Sequence, residues 1–300
     1  MTTRALVLSG GGPVGIAWES GLIGGLALGG IDVSKADFIM GTSAGSFVGS
    51  LLARGTTPAD VAAPFLAMDE AAPPPLPASE AKPAASAPPN TSEMWLRMER
   101  ARNAGKSPQE VRADIGAFAL EAETASEEAF IKSFGRAFSE LPEDFWPAAN
   151  YACTAVDALT GEFKLWTKDS GVGMAKAVAS SCSVPGIFPP VTLDGRRYID
   201  GGMRSGGNAD YATGFDRVLL VAIRVAMEGP MAERTKRNLD AELKVLTDAG
   251  AQVEVLYPDA DSITAFGPNL MDARRRPSAA RAGYAQGQAQ AGGLSSFWNT

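Results

Sequence analysis

An apolar run, Ala5-Leu6-Val7-Leu8, leads through Gly10-Gly11-Gly12-Pro13-Val14-Gly15 into a helical stretch from Val14 to Leu28, with Ile16, Leu22, Ile23 and Leu26 as apolar positions. Strand signals go on alternating with helical stretches along the chain. That alternation argues for an α/β protein with a mainly parallel sheet covered on both sides. Asp37 to Met40 is the next strand, and Ala44 to Arg54 the next helix, closed by Gly55, a residue suited to the left-handed conformation after a helix end. Thr57-Pro58 opens another helix, threonine capping and proline in the first turn, that runs to about Met68.

From Ala71 to Asn90 the chain is crowded with proline (Pro73, Pro74, Pro75, Pro77, Pro83, Pro88, Pro89), which forbids continuous helix or ladder and predicts a mobile loop. A helical insertion over 91–145 follows, within one domain spanning 1–300. Its helices are Glu93 to Ala104, one opened by the capping box Ser107-Pro108-Gln109-Glu110, and one opened by a second box, Thr124-Ala125-Ser126-Glu127. The last carries Phe130, Ile131, Phe134 and Phe138 at helical spacing, a pattern read as core packing. Met94, Trp95 and Met98, beside the proline-rich loop, either pack on the domain or form a lipid-facing lid.

Tyr151 to Val156 and Glu162 to Trp166 form a strand pair turned by Thr160-Gly161. Val172 to Ser181 is a small-residue helix stopped by Pro185, and Val191 to Leu193 with Arg197 to Ile199 is a hairpin whose Asp194-Gly195 suits a two-residue turn. Arg217 to Val225 and Gln252 to Tyr257 are the last strands, separated by a charged helix from about Met231 to Thr247. The Ala/Gln/Gly-rich stretch after Tyr284 is weakly patterned and expected to fray.

A net charge of −7 argues against nucleic acid as a partner, and Arg274-Arg275-Arg276 reads as a solvated helix cap. Two cysteines, Cys153 and Cys182, and no histidine leave no disulfide framework and no transition-metal set. The N-terminus lacks a signal-peptide pattern and nothing approaches the ~20 apolar residues that span a bilayer, so a cytoplasmic location is expected.

Two glycine turns lie between a strand and a helix. At Gly10 to Gly15 outward-pointing amides and the helix dipole stabilise negative charge. The same turn suits a dinucleotide pyrophosphate, but the acidic residue expected about 20 positions on is missing, since Asp32 lies ahead of the next strand. Gly41-Thr42-Ser43-Ala44-Gly45 has the small residues that a strained nucleophile turn needs to lift a hydroxyl above the sheet edge. Without histidine, Ser43 is either structural or activated by another base. Asp200-Gly201-Gly202, after a strand, reads alone as a turn, yet it offers the carboxylate such a serine would need.

These three motifs, with Ala179 to Pro190 ahead of the third, resemble in kind and order the patatin-like phospholipase family, from Leu6 to about Gly287. The resemblance implies a three-layer α/β/α fold and a Ser-Asp dyad. Ser43 matches the nucleophile and Asp200 the general base; Gly10, Gly11, Gly12 and Ala44 match the oxyanion hole, and Gly15, Gly41, Gly45, Gly201 and Gly202 complete the motifs. It implies a lipid or acyl-ester substrate, transient contact with a membrane surface, and neither metal nor organic cofactor. Many relatives carry Arg or Lys where this chain has Val14, which points away from an anionic headgroup. A weakly active acyl-lipid-binding protein and an acyltransferase are the alternative activities on the same fold.

Overall fold

The computed structural model describes residues 2–69, 92–223 and 230–300; the proline-rich stretch over 71–90 lies outside them. In chain order the elements begin β1 (Arg4–Leu8), α1 (Gly12–Leu28), β2 (Phe38–Gly41), α2 (Ala44–Ala53) and α3 (Pro58–Leu66). Next come α4 (Ser92–Asn103), α5 (Pro108–Glu121), α6 (Glu127–Lys132), β3 (Tyr151–Asp157), β4 (Phe163–Trp166) and α7 (Met174–Ser181). The chain continues through β5 (Val191–Leu193), β6 (Arg196–Asp200), β7 (Arg217–Val221), α8 (Pro230–Asp248), β8 (Gln252–Leu256), α9 (Ala260–Phe266) and α10 (Arg276–Trp298). The fold is mixed α/β, a central, mostly parallel sheet flanked by helices, as the alternation predicts. Among the described residues no helix is long and apolar enough to cross a membrane.

The chain gathers into two compact units. The first comprises Met1–Pro75, Pro147–Ala152 and Ser205–Thr300. Its strands run in the order β2-β1-β7-β8, every pair parallel, with Leu8 level with Gly41 on one side and Val221 on the other. Ala5 to Leu8 of β1 and Val218 to Leu220 of β7 are wholly buried, as strands covered on both faces must be.

Helix α10 corrects the expectation of a frayed end. It runs unbroken to Trp298, whose indole N–H donates to the Asp32 carbonyl at 3.0 Å. What holds it is a ridge of missing side chains. Gly283 and Gly287 leave no room for a Cβ against the backbone of Trp18 and Leu22, and Gly21 and Gly25 of α1 leave none against Ala280 and Tyr284. Glycines four apart on both helices lie on facing stripes, so the two backbones touch.

The second unit comprises Leu76–Trp146 and Cys153–Arg204. Its strands pair antiparallel, β5 with β6, β6 with β3 and β3 with β4, and the β5–β6 hairpin turns through Asp194 and Gly195, both at positive φ. The Ser107–Glu110 capping box is present in full. Met94 and Met98 are buried in a cluster with Ile115, Val156 and Ile199, and the partly buried Trp95 packs against it.

Two further expectations shift here. The cap of α6 is Ser126, which accepts from the Ala129 N–H, rather than Thr124. The aromatic series does not ride one helix: α6 ends at Lys132 and Gly135, at φ 55°, opens a separate 3-10 turn. Its rings still pack, Phe130 stacking on Phe188 at 4.7 Å and meeting Phe134 at 5.4 Å.

Two glycines of α10 should respond oppositely to alanine. Gly287→Ala forces a Cβ into the Leu22 backbone and should cost about 1–3 kcal/mol. Gly292→Ala enters open space inside the same helix and should gain about 0.5–1 kcal/mol. Urea unfolding of the two variants checks both signs.

Candidate active site

Ser43 occupies the turn between β2 and α2 with φ 52° and ψ −117°. Positive φ in a residue with a side chain is uncommon, and among the described residues only Ser43, Asp194 and Asn208 share it. The hairpin accounts for Asp194. For Ser43 the conformation lies outside even the left-handed helical well and costs about 1–3 kcal/mol, which its surroundings must overcome. They do so with backbone hydrogen bonds. Thr42 N–H donates to the Leu8 carbonyl at 3.0 Å, Gly45 N–H to the Ser9 carbonyl at 3.1 Å, and Ser46 N–H to the Ser43 carbonyl at 2.9 Å.

The flanking glycines are sterically required. A Cβ on Gly41 would strike the backbone of Gly45 and Ser46, and one on Gly45 would strike the backbone of Leu8. Ser46 Oγ donates to the Ser43 carbonyl at 2.6 Å, and the buried Tyr151 hydroxyl donates to the Ser46 carbonyl at 2.7 Å. A further brace escaped sequence reasoning. Asn208, wholly buried and itself at φ 53°, donates from Nδ2 to Thr42 Oγ1 at 3.0 Å and to the Ser205 carbonyl at 2.7 Å. The only signal in the sequence is the polar glycine run Ser205-Gly206-Gly207-Asn208.

The first glycine motif lies against this turn. A Cβ placed on Gly10 would sit 3.3 Å from Ser43 Cβ and 3.9 Å from its Oγ. Gly15, where α1 passes α2, leaves a Cβ only 3.4 Å from that of Ala44. The Gly10 amide is already used: it donates to the Gly206 carbonyl at 2.9 Å, so Gly10 shapes the loop but has no N–H to offer an oxyanion. Val14 and Gly15 amides are likewise committed, to the carbonyls of Leu270 and Gly11, and Pro13 has none. The amides of Gly11, Gly12 and Ala44 have no acceptor among the described residues. Ala44 opens α2 and Gly12 opens α1, and neither helix carries an acid in its first turn. Two helix N-termini thus present unopposed positive potential beside Ser43, an arrangement suited to a developing negative charge. Val14 is wholly buried, so its side chain belongs to the core rather than to the loop's ligand-facing side.

Behind the loop lies Glu19 of α1. It is fully buried and neither carboxyl oxygen has a hydrogen-bond partner. Burial pushes its carboxyl well above the usual range; the Ser9 backbone pulls weakly the other way, its N–H being committed to the Val221 carbonyl.

Asp200 belongs to the second unit, where it ends β6 opposite Ala155 of β3 and is 2% exposed. Its amide donates to the Ser183 carbonyl at 2.9 Å, and its Oδ1 accepts the Gly202 N–H at 2.7 Å. Gly201 has no room for a side chain against Thr154 of β3, which accounts for the first glycine after Asp200. Ser183, which fixes that amide, donates from Oγ to the Pro189 carbonyl at 2.6 Å and so closes the segment before the hairpin. The predicted residues thus form two groups: Gly10, Gly11, Gly12, Gly15, Gly41, Ser43, Ala44 and Gly45 in the first unit, Asp200, Gly201 and Gly202 in the second.

A family model described as patatin-like phospholipase matches residues 6–213. Among solved structures the chain is similar to VipD from Legionella pneumophila, at 15% identity and a TM-score of 0.49, covering 98% of this chain and 67% of that one. It is also similar to the type III effector protein ExoU, at 17% identity and a TM-score of 0.39, covering 97% of this chain and 53% of that one, about half its length. No curated protein matches the sequence.

Glu19 gives a stability prediction. A carboxyl whose folded pKa is raised binds more protons folded than unfolded, so stability falls as pH rises from the unfolded value, near 4.5, toward the folded one. Glu19→Gln should remove that decline. Unfolding free energies measured from pH 4 to 8 should fall with pH in the wild type by more than in the variant.

Proposed function

Because the chain belongs to the patatin-like phospholipase family, whose model matches more than half of it, we propose that it cleaves carboxylic ester bonds of lipids with Ser43 as nucleophile and Asp200 as general base. The observation that carries this reading is the backbone of Ser43, at φ 52° and ψ −117°. A serine needed only for packing has no use for a strained turn braced by Leu8, Ser9, Tyr151 and Asn208. A nucleophile does, because the turn fixes the hydroxyl beside donors placed in advance.

In this reading Asp200 takes the Ser43 proton as Oγ attacks the ester carbonyl carbon. The carbonyl π electrons move onto oxygen, and the amides of Gly11, Gly12 and Ala44 receive that charge. Each such donor contributes about 3 kcal/mol to lowering the barrier. Collapse of the intermediate expels the alcohol, which takes the proton back from Asp200 and leaves an acyl group on Ser43. Water, deprotonated by Asp200, then attacks the acyl-enzyme, releasing the fatty acid and restoring the serine. Aspartate, with an ordinary pKa of about 3.9, is a weak base, so its contribution rests on proximity and on a site with little water. Ser43 at 7% exposed and Asp200 at 2% exposed support that condition. The chemistry covers phospholipase A, lysophospholipase and simple esterase action.

Ser43→Ala should abolish labelling by a fluorophosphonate probe and reduce nitrophenyl-ester hydrolysis to background. Asp200→Asn should lower kcat by about 100-fold to 10,000-fold with an unchanged circular dichroism spectrum. Labelling of the wild type at a residue other than Ser43, or turnover that survives both substitutions, would refute the assignment.

A further inference from the structure

Residues beyond the stretch matched to the family come up against the glycine loop in the first unit. Gly12, at φ 61°, faces the Leu270 carbonyl and the Met271 thioether, whose Sδ lies 2.9 Å from where a Cβ would stand. A Cβ on Gly11 would run into Cδ1 of Ile223. The turn that brings these groups in is pinned through its backbone. The Leu270 carbonyl accepts the Val14 N–H at 3.2 Å, Met271 N–H donates to Asn269 Oδ1 at 3.0 Å, and Asp272 N–H donates to the Asn269 carbonyl at 3.0 Å. Leu270 and Ile223 are buried, whereas Met271 is half-buried. Of the three, Met271 alone has both solvent access and an unbranched chain with several rotatable bonds.

From these contacts we infer that Met271, flanked by Ile223 and the Leu270 backbone, forms the wall along which the acyl chain of the ester leaves the oxyanion-binding amides, and that its side chain sets the chain length accepted. The inference rests on Ser43 being the nucleophile and names the part of the substrate that this same site selects.

The loop has two ends. At Gly10 it lies against Ser43, and at Gly12 it lies against Met271. An ester carbonyl bonded to Ser43 Oγ with its oxygen on the Gly11 and Gly12 amides therefore directs a remaining substituent toward Met271. The side chains there are apolar, the Met271 thioether and the Ile223 methyl, and the one polar group beside them, the Leu270 carbonyl, already accepts the Val14 N–H. Such a surface favours a hydrocarbon chain over a hydroxylated or charged alcohol portion, whose polar atoms would lose their water without gaining partners. A hydrophobic wall discriminates chain length modestly, about tenfold or somewhat more for each methylene it admits or excludes.

The test uses the full chain with Met271→Trp and Met271→Ala. Labelling rates at Ser43 by a short-chain and a long-chain alkyl fluorophosphonate are compared, alongside kcat/KM for nitrophenyl butyrate and nitrophenyl laurate. Met271→Trp should lower the long-to-short ratio by about tenfold or more, and Met271→Ala should raise it. Opposite shifts are a signature that a structural role for Met271 does not produce. Thermal unfolding identifies any variant that does not fold; if the tryptophan variant fails there, the alanine variant decides alone. An unchanged ratio in the folded variants overturns the inference while leaving Ser43 in place, as does a change in preference for the alcohol portion in place of the chain. Failure of either probe to label wild-type Ser43 overturns the nucleophile assignment, and this inference with it.

Discussion

Everything near Ser43 depends on how closely the chain can approach the end of β1. The carbonyls of Leu8 and Ser9 accept the amides of Thr42 and Gly45, so the turn after β2 is pulled down onto β1 from both of its sides. That approach is open only because position 45 has no side chain to meet Leu8 and position 41 none to meet Ser46. Once the flanks are fixed, the residue between them has little choice of dihedral angles. Ser43 takes a conformation that a free chain rarely visits because four neighbouring backbone groups are already spoken for. The strain is comparable with the hydrogen bonds that impose it, each contributing about 1 kcal/mol net.

Ser9 extends the same constraint in two directions. Its Oγ accepts the Ile223 N–H at 2.9 Å and its own N–H donates to the Val221 carbonyl, so the end of β7 is anchored at the point that anchors the serine turn. Ile223 in turn fills the space beside Gly11 and Gly15. The glycine loop is therefore held between the serine turn on one side and the strand end on the other. Its two uncommitted amides, at Gly11 and Gly12, are oriented by contacts spread over β1, β7 and the turn at Asn269–Asp272. In the proposed hydrolysis, donors held this way need no reorganisation when charge appears.

Much of this was legible in the sequence because the signals are local. Strand, glycine turn and helix follow one another at Leu8 to Val14 and again at Met40 to Ala44, so the pattern is readable even though the contacts that need most of its glycines, Gly45 against Leu8 or Gly12 against Leu270, are distant. The turn at Asp200 was legible as a turn, its carboxylate accepting the Gly202 N–H, while Gly201 is required by Thr154 on a separate strand. What stayed hidden depends on distant partners. Asn208 braces Thr42, but nothing near either residue announces the other. Glycines 283 and 287 carry no hydrophobic period, and their meaning appears only beside Gly21 and Gly25. At Gly10 the motif pointed to an oxyanion donor, yet the Gly206 carbonyl, far along the chain, already holds that amide. The aromatic series over 130–138 looked helical by spacing, while a single glycine at positive φ breaks it into two pieces whose rings still meet edge to face.

The glycine ridge between α1 and α10 also orders events in time. Helix α1 begins in the loop that carries the Gly11 and Gly12 amides, and its longest packing surface is α10, residues 276–298. On the ribosome those residues emerge after every group of both glycine turns and after Asp200. Contacts between segments so far apart form late, since loop closure must precede any reward from the contact. Until then α1 lacks its partner, and the loop at its head lacks a fixed frame. A nascent chain therefore carries the serine and its glycines before it carries the helix whose packing holds α1 in place.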